Sequence, residues 1–219
     1  MRKLLILMLV ALPLVASAQW DTTAHRRLHP RTEPLVGAAL FSTGTLISIR
    51  PELHDREISL YDKFSLADAT RLHFDDYLQF APLAAAFALN LAGLESEHNL
   101  GQMALLAATS CLLGLAATET GKLLYQVERP DGNGYSSFPS GHTFGAFCGA
   151  EMVRREYGSR YPWVTYVGYG VATLVGIMRM YNSRHWFSDV LGGVGMAILS
   201  VHVSYSLWGA NTKNKVKLY

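Results

Sequence analysis

Met103–Ala117, MALLAATSCLLGLAA, runs for fifteen residues without a charge, a proline or a strand-like alternation of apolar and polar positions. A run of that length and uniformity reads as a helix that is buried or in contact with lipid. Leu78–Leu94 precedes it across the polar segment Glu95–Gln102, and Thr143–Val153, Trp163–Met178 and Val190–Trp208 follow. No segment sustains the period-two pattern of a strand, and no internal repeat is visible. The expected fold is therefore all-α, a helical bundle. Half of the 219 residues are apolar and 16% are charged, against roughly a quarter charged in ordinary globular proteins. That deficit favours a polytopic membrane protein with about five spanning helices. Several runs fall short of the ~20 residues a span requires, so a soluble helical protein is the competing architecture.

Outward from these runs, the amino-terminal end has the form of an export signal. Arg2 and Lys3 precede the apolar run Leu4–Ala16, and Ala16-Ser17-Ala18 is an A-x-A cleavage site before Gln19. The expected organisation is a signal peptide over 1–18, a polar lead-in and interfacial segment over 19–77, and a helical core over 78–219. Leu35–Ile49 is apolar but short, and is expected to lie at the interface or against the bundle. If Leu78–Leu94 enters from outside, alternating spans put Arg154, Arg155, Arg160 and the tail lysines 213, 215 and 217 inside, as the positive-inside rule asks. The loops around Arg129–His142 and Arg179–His185 then share the outer face. A net charge of +2 without a basic stripe excludes a nucleic-acid partner. Cys111 and Cys148 lie in apolar stretches and read as small buried hydrophobes rather than as a disulfide.

Three polar segments carry the chemistry. In the first, Lys122 and Arg129-Pro130 are two helical turns apart, so both cations are expected on one helical face with Pro130 ending the helix. Glu119, one turn before Lys122, is expected to pair with it. In the second, Pro139-Ser140-Gly141-His142 opens a helix: Ser is a favoured cap, Gly admits close backbone approach, and a helix start suits a phosphate oxygen. In the third, Arg179 precedes His185 and Asp189, which are four apart and expected to be neighbours on one helical face. A carboxylate there fixes one ring nitrogen as a donor and leaves the other as a nucleophile or base.

Together these segments resemble the type 2 phosphatidic acid phosphatase (PAP2) superfamily. Its pattern is Lys, six residues, Arg-Pro; then Pro-Ser-Gly-His; then Arg, five residues, His, three residues, Asp. The chain meets all three in order, over about Leu78–Trp208. The resemblance implies a hydrolase in which His185 is the nucleophile that forms a phosphohistidine, His142 the general acid and Asp189 the carboxylate orienting His185. Lys122, Arg129, Ser140, Gly141 and Arg179 would bind the phosphate oxygens. No metal and no cofactor is implied, since three fixed cations replace the usual metal pair and would repel a cation. The implied substrate is a lipid phosphate or pyrophosphate at the outer, periplasmic face of a bacterial inner membrane, with membrane lipid as the other partner. A soluble periplasmic acid phosphatase is the alternative. Met178 stands where the family usually has Ser, and Ser183 is expected to supply the hydroxyl in its place.

Overall fold

A capping box starts the longest helix. The Asn99 side chain accepts from the Gln102 backbone N–H at 3.0 Å, and Gln102 returns a bond to the Asn99 N–H at 3.1 Å. In the computed structural model, which describes residues 32–64 and 73–209, eight α-helices are present among the described residues and no strand. They are α1 (Thr32–Ile49), α2 (Pro51–Phe64), α3 (Asp75–Leu78), α4 (Ala81–Leu91), α5 (Leu100–Tyr125), α6 (Gly141–Tyr157), α7 (Pro162–Tyr181) and α8 (Phe187–Ser204), followed by the π-helical turn Tyr205–Gly209. The all-α reading holds. The expected signal peptide at 1–18 and the tail lysines lie outside the described residues.

The centre of the bundle is α6. It is buried on nearly every side among α4, α5, α7 and α8, with Phe144, Phe147, Cys148 and Met152 in the main core. Such all-round burial explains why Thr143–Val153 shows no clean amphipathic stripe. By contrast, α5 buries one seam, Met103, Leu106, Ala107, Ser110, Gly114, Thr118 and Gly121, at helical spacing, and exposes Leu112, Leu115, Leu123 and Leu124 on the opposite side. Its 26 residues span about 39 Å at 1.5 Å per residue. That exceeds the ~30 Å hydrocarbon thickness of a bilayer. Helix α5 and the segment Phe187–Trp208 are the two described helices long and apolar enough to cross a membrane. The run Leu78–Leu94, expected as one helix, is broken at Gln79-Phe80. Pro82 sits in the first turn of α4, where its missing N–H costs nothing.

Helix α1 packs along α8. Their contact is made by glycine: a Cβ at Gly44 would lie 2.6 Å from the Ser188 carbonyl oxygen and 2.9 Å from the Gly192 nitrogen. At its other end α1 is tied to α6 by ions. Buried Arg154 bonds Glu33 at 2.7 Å and Glu151 at 2.5 Å, Arg155 reaches both carboxylates, and Tyr169 donates to Glu151. Glu151 and Arg154, which interrupt the apolar pattern of α6, are thus each other's partners. Buried ions require such pairing. Gly193 of α8 serves the site directly, since a Cβ there would be 2.6 Å from the Ser140 carbonyl oxygen. Cys111 and Cys148 are both free thiols.

Candidate active site

Helix α5 stops earlier than its proline implies. Gln126 adopts the left-handed conformation (φ 45°) and closes the helix through its N–H to Lys122 O, four residues before Pro130. Lys122 therefore projects from the last turn, where it bonds Glu119 at 2.6 Å as expected, while Arg129 belongs to the following loop. The two cations do not share a helical face. They converge because the loop folds back: Arg129 N–H donates to Gly134 O, and Ser137 N–H donates to Val127 O, both at 3.0 Å.

The second segment caps α6. Ser140 is fully buried, and its hydroxyl accepts from the Thr143 N–H and hydroxyl at 3.4 and 2.9 Å. That hydroxyl is engaged in the cap, and it is Gly141 and His142, the next two residues, that face a cavity of about 260 Å³.

The third segment corrects the expectation that His185 and Asp189 share a helical face. His185 lies in the loop before α8, and Asp189 is in that helix's first turn. Asp189 Oδ2 accepts from Trp186 N–H at 2.8 Å and from the Ser137 hydroxyl at 2.5 Å, and lies 3.4 Å from His185 Nδ1. Asp189 reaches His185 by capping the helix that follows it. With the Nδ1 proton directed at Asp189, the tautomer that leaves the lone pair on Nε2 is favoured. Arg179, in the last turn of α7, holds the loop through its carbonyl, which accepts from the Arg184 and His185 N–H groups. Ser183 does not replace the missing hydroxyl of position 178. Its Oγ accepts from Tyr61 of α2 at 2.7 Å, and neither residue lines the cavity.

The cavity brings together Lys122, Arg129, Gly141, His142, Arg179 and His185 from three separated segments. It also holds residues the sequence did not single out. Arg184 lies on its wall and bonds Asp131 at 3.1 Å. Asp75 and Asp76 of α3 face Arg179: Arg179 Nη1 donates to Asp75 Oδ2 at 2.8 Å, and Asn182 to Asp75 Oδ1 at 3.2 Å. Asp76 Oδ1 lies 3.0 Å from His142 Nε2 and 3.4 Å from Arg179 Nη1. Behind the wall, Glu57 of α2 accepts from the Ser188 N–H at 2.7 Å and hydroxyl at 2.8 Å, supporting the start of α8. Glu57, Asp75 and Asp76 sit in no recognisable motif, and their sole signal was the charged stretch before Leu78–Leu94.

Electrostatics follow from this crowding. Burial pushes His185 below its ordinary value, with Arg179 and Arg129 adding to the effect and Asp189 opposing it. His142, ahead of the apolar run of α6, is pushed down to about 4 by burial and then by Arg179, against the pull of Asp76. Arg129 is also lowered, by burial first and then by the neighbouring Arg184 and Arg179. Among the described residues, Arg129 Nε and Arg179 Nε are buried without a hydrogen-bond partner. A pocket of several cations with unused donors is suited to an anion carrying several oxygens.

Comparison with known proteins shows the family. The PAP2 superfamily model matches residues 103–213, just over half of the chain. The chain belongs to the PAP2 superfamily. Within known PAP2 and related proteins, it is 36% identical over 173 residues to the lipid A 1-phosphatase of Porphyromonas gingivalis, covering 78% of this chain and 37% of that protein. It is 37% identical over 70 residues to the phosphatidylglycerophosphatase B of Bacillus subtilis, covering 29% of this chain and 34% of that protein. The chain thus spans about a third of the length of the curated relatives it matches. A solved transmembrane PAP2-type phosphatidylglycerolphosphate phosphatase from Bacillus subtilis aligns over 98% of both chains, at 18% identity and a TM-score of 0.46. The match to the PAP2 model begins at Met103, so Glu57, Asp75 and Asp76 lie outside it.

Proposed function

We propose that this chain is a metal-independent phosphatase that hydrolyses a lipid phosphate or pyrophosphate through a phosphohistidine, at the outer face of the inner membrane. The observation that carries the reading is the convergence of Lys122, Arg129, Arg179, His142 and His185 on one cavity. The lone pair of His185 Nε2 attacks phosphorus, and the bond to the leaving oxygen breaks as His142 gives that oxygen its proton. Asp189 accepts from Nδ1 and stabilises the imidazolium. Lys122, Arg129, Arg179 and the Gly141 N–H hold the non-bridging oxygens, whose charge dominates phosphoryl transfer. Ser140 contributes by capping the helix that presents Gly141. Water then attacks the phosphohistidine, His142 takes its proton, the P–N bond breaks and inorganic phosphate leaves. Fixed cations supply the charge neutralisation that other phosphatases draw from two metal ions.

A lipid substrate is supported by the similarity to a lipid A 1-phosphatase and a phosphatidylglycerophosphatase B and by the leucine face of α5. The export signal and the outward-facing loops support a periplasmic site. The test is phosphate release, with chelator present, by the detergent-solubilised membrane fraction against purified lipid phosphates and pyrophosphates. Turnover of lipid substrates is expected. Recovery of the chain in osmotic shock fluid, with equal turnover of small phosphomonoesters, would favour the soluble periplasmic acid phosphatase instead.

A further inference from the structure

Three histidines line the pocket, His73 at its rim within 3.9 Å of Asp76, and the two deeper ones, His142 and His185, each approach a carboxylate at hydrogen-bond distance. The His185–Asp189 pair comes from the third segment of the family pattern. The other pair, His142–Asp76, joins residues 66 positions apart, with Asp76 supplied by the four-residue helix α3 outside the family match. We propose that Asp76 is a positioning residue for His142, holding its Nε2 protonated and directed into the phosphate pocket.

Two features support this assignment. Asp76 Oδ1 sits 3.0 Å from His142 Nε2, and its side chain is half exposed, so it can yield that nitrogen when a leaving oxygen arrives. Asp75, 1% exposed and fastened by Arg179 and Asn182, anchors α3 so that the next residue is presented to His142. The surroundings make such a partner necessary. Arg179 and Arg184 approach from α7 and the loop after it, together with His185, and Lys122 and Arg129 approach from the first segment. On the acidic side stand Asp75 and Asp76, with His73 at the rim. Burial and Arg179 lower His142 while Asp76 opposes them, and the balance of all three lies at about 4. The negative charge of an arriving phosphate raises His142 further, and Asp76 adds to that pull, so its removal would leave less of the acid protonated in the complex.

The inference rests on the phosphatase reading, and physical-organic selectivity separates the two. An alkyl phosphate needs its leaving oxygen protonated, whereas 4-nitrophenyl phosphate releases a phenolate that leaves unprotonated. Asp76→Asn should lower kcat on a lipid phosphate at least ~10-fold, within the ~10²–10⁴ that general acid catalysis contributes. On 4-nitrophenyl phosphate the same variant should stay within about twofold of wild type by that argument. The basic limb of its pH profile on the lipid substrate should move to lower pH, and Asp76→Glu should restore both. In a His142→Ala background Asp76→Asn should add no further loss. Equal losses on both substrates would make Asp76 merely structural, and a gain on both would make it a competitor for the pocket; either overturns the proposal while leaving the phosphatase reading intact. A wild-type chain inactive on both substrates would remove the phosphatase reading and this inference with it.

Discussion

Asp189→Asn tests the centre of the mechanism with the smallest change in shape. Asp189 is fully buried, and its Oδ2 serves Trp186 N–H, Ser137 Oγ and His185 Nδ1, while Oδ1 has no hydrogen-bond partner among the described residues. An asparagine can keep its amide oxygen at the Oδ2 place, so the cap of α8 survives. The amide NH₂ then occupies the unpartnered side, at a cost of about 1–3 kcal/mol for a buried unsatisfied donor. The chemical loss is larger. A full charge 3.4 Å from the imidazolium contributes about 5 kcal/mol at an effective dielectric of ~20. Half of that remains if the charge is shared evenly over two oxygens, so the loss is about 2–4 orders of magnitude at 1.36 kcal/mol per decade. If the amide flips, its NH₂ meets Nδ1 and forces the proton onto Nε2, removing the nucleophilic lone pair. The assay is single-turnover phosphate release, with acid-quench trapping of the phosphoenzyme and a thermal scan in the same detergent. A fold that melts within several degrees of wild type, with the rate down by that factor, is expected. A variant retaining more than about a tenth of the rate would refute the role, since such a loss corresponds to under ~1.4 kcal/mol.

His185 is held neutral by burial, so the acidic limb of kcat/KM should have its midpoint below the ordinary histidine value of about 6.5. The unfolded chain binds that proton at higher pH than the fold does; its contribution to stability is therefore full above ~6.5 and lost as pH falls through the lowered value. A midpoint above 6.5 in the pH–rate profile would contradict this. Gly44→Ala would drive a Cβ to 2.6 Å from the Ser188 carbonyl, against backbone that cannot yield. It should cost about 1–3 kcal/mol and weaken catalysis through the adjoining loop. Gly170→Ala, in α7 with no atom within 4 Å of the added carbon, should instead stabilise by about 0.5–1 kcal/mol. Thermal scans that ranked the two in reverse order would refute the close α1–α8 contact.

Much was legible from the chain alone because local chemistry controls it. The length and evenness of Met103–Ala117 require a helix in any context, and Ser140 caps α6 because a hydroxyl beside free N–H groups has few better partners. The spacings of Lys122, Arg129, His142, Arg179, His185 and Asp189 identified the pocket residues without revealing how they meet. The inference from spacing to helical face failed twice, at Arg129 and at His185, because both lie in loops. Spacing predicts direction only within a continuous helix, and the left-handed Gln126 ends α5 before Arg129 while α8 begins only after His185, at its cap Trp186.

The sequence by itself determined the helical class and singled out the residues of the candidate site, since periodicity, caps and motif spacing act over a few residues. Only the tertiary structure decided what stands around them. Glu57 reaches Ser188 across 131 positions, and Asp75 and Asp76 reach Arg179 across more than a hundred. No local rule couples residues so far apart. Their carboxylates are drawn to cations and backbone N–H groups that become neighbours only when the bundle closes, because a charge removed from water must find its partner within the protein.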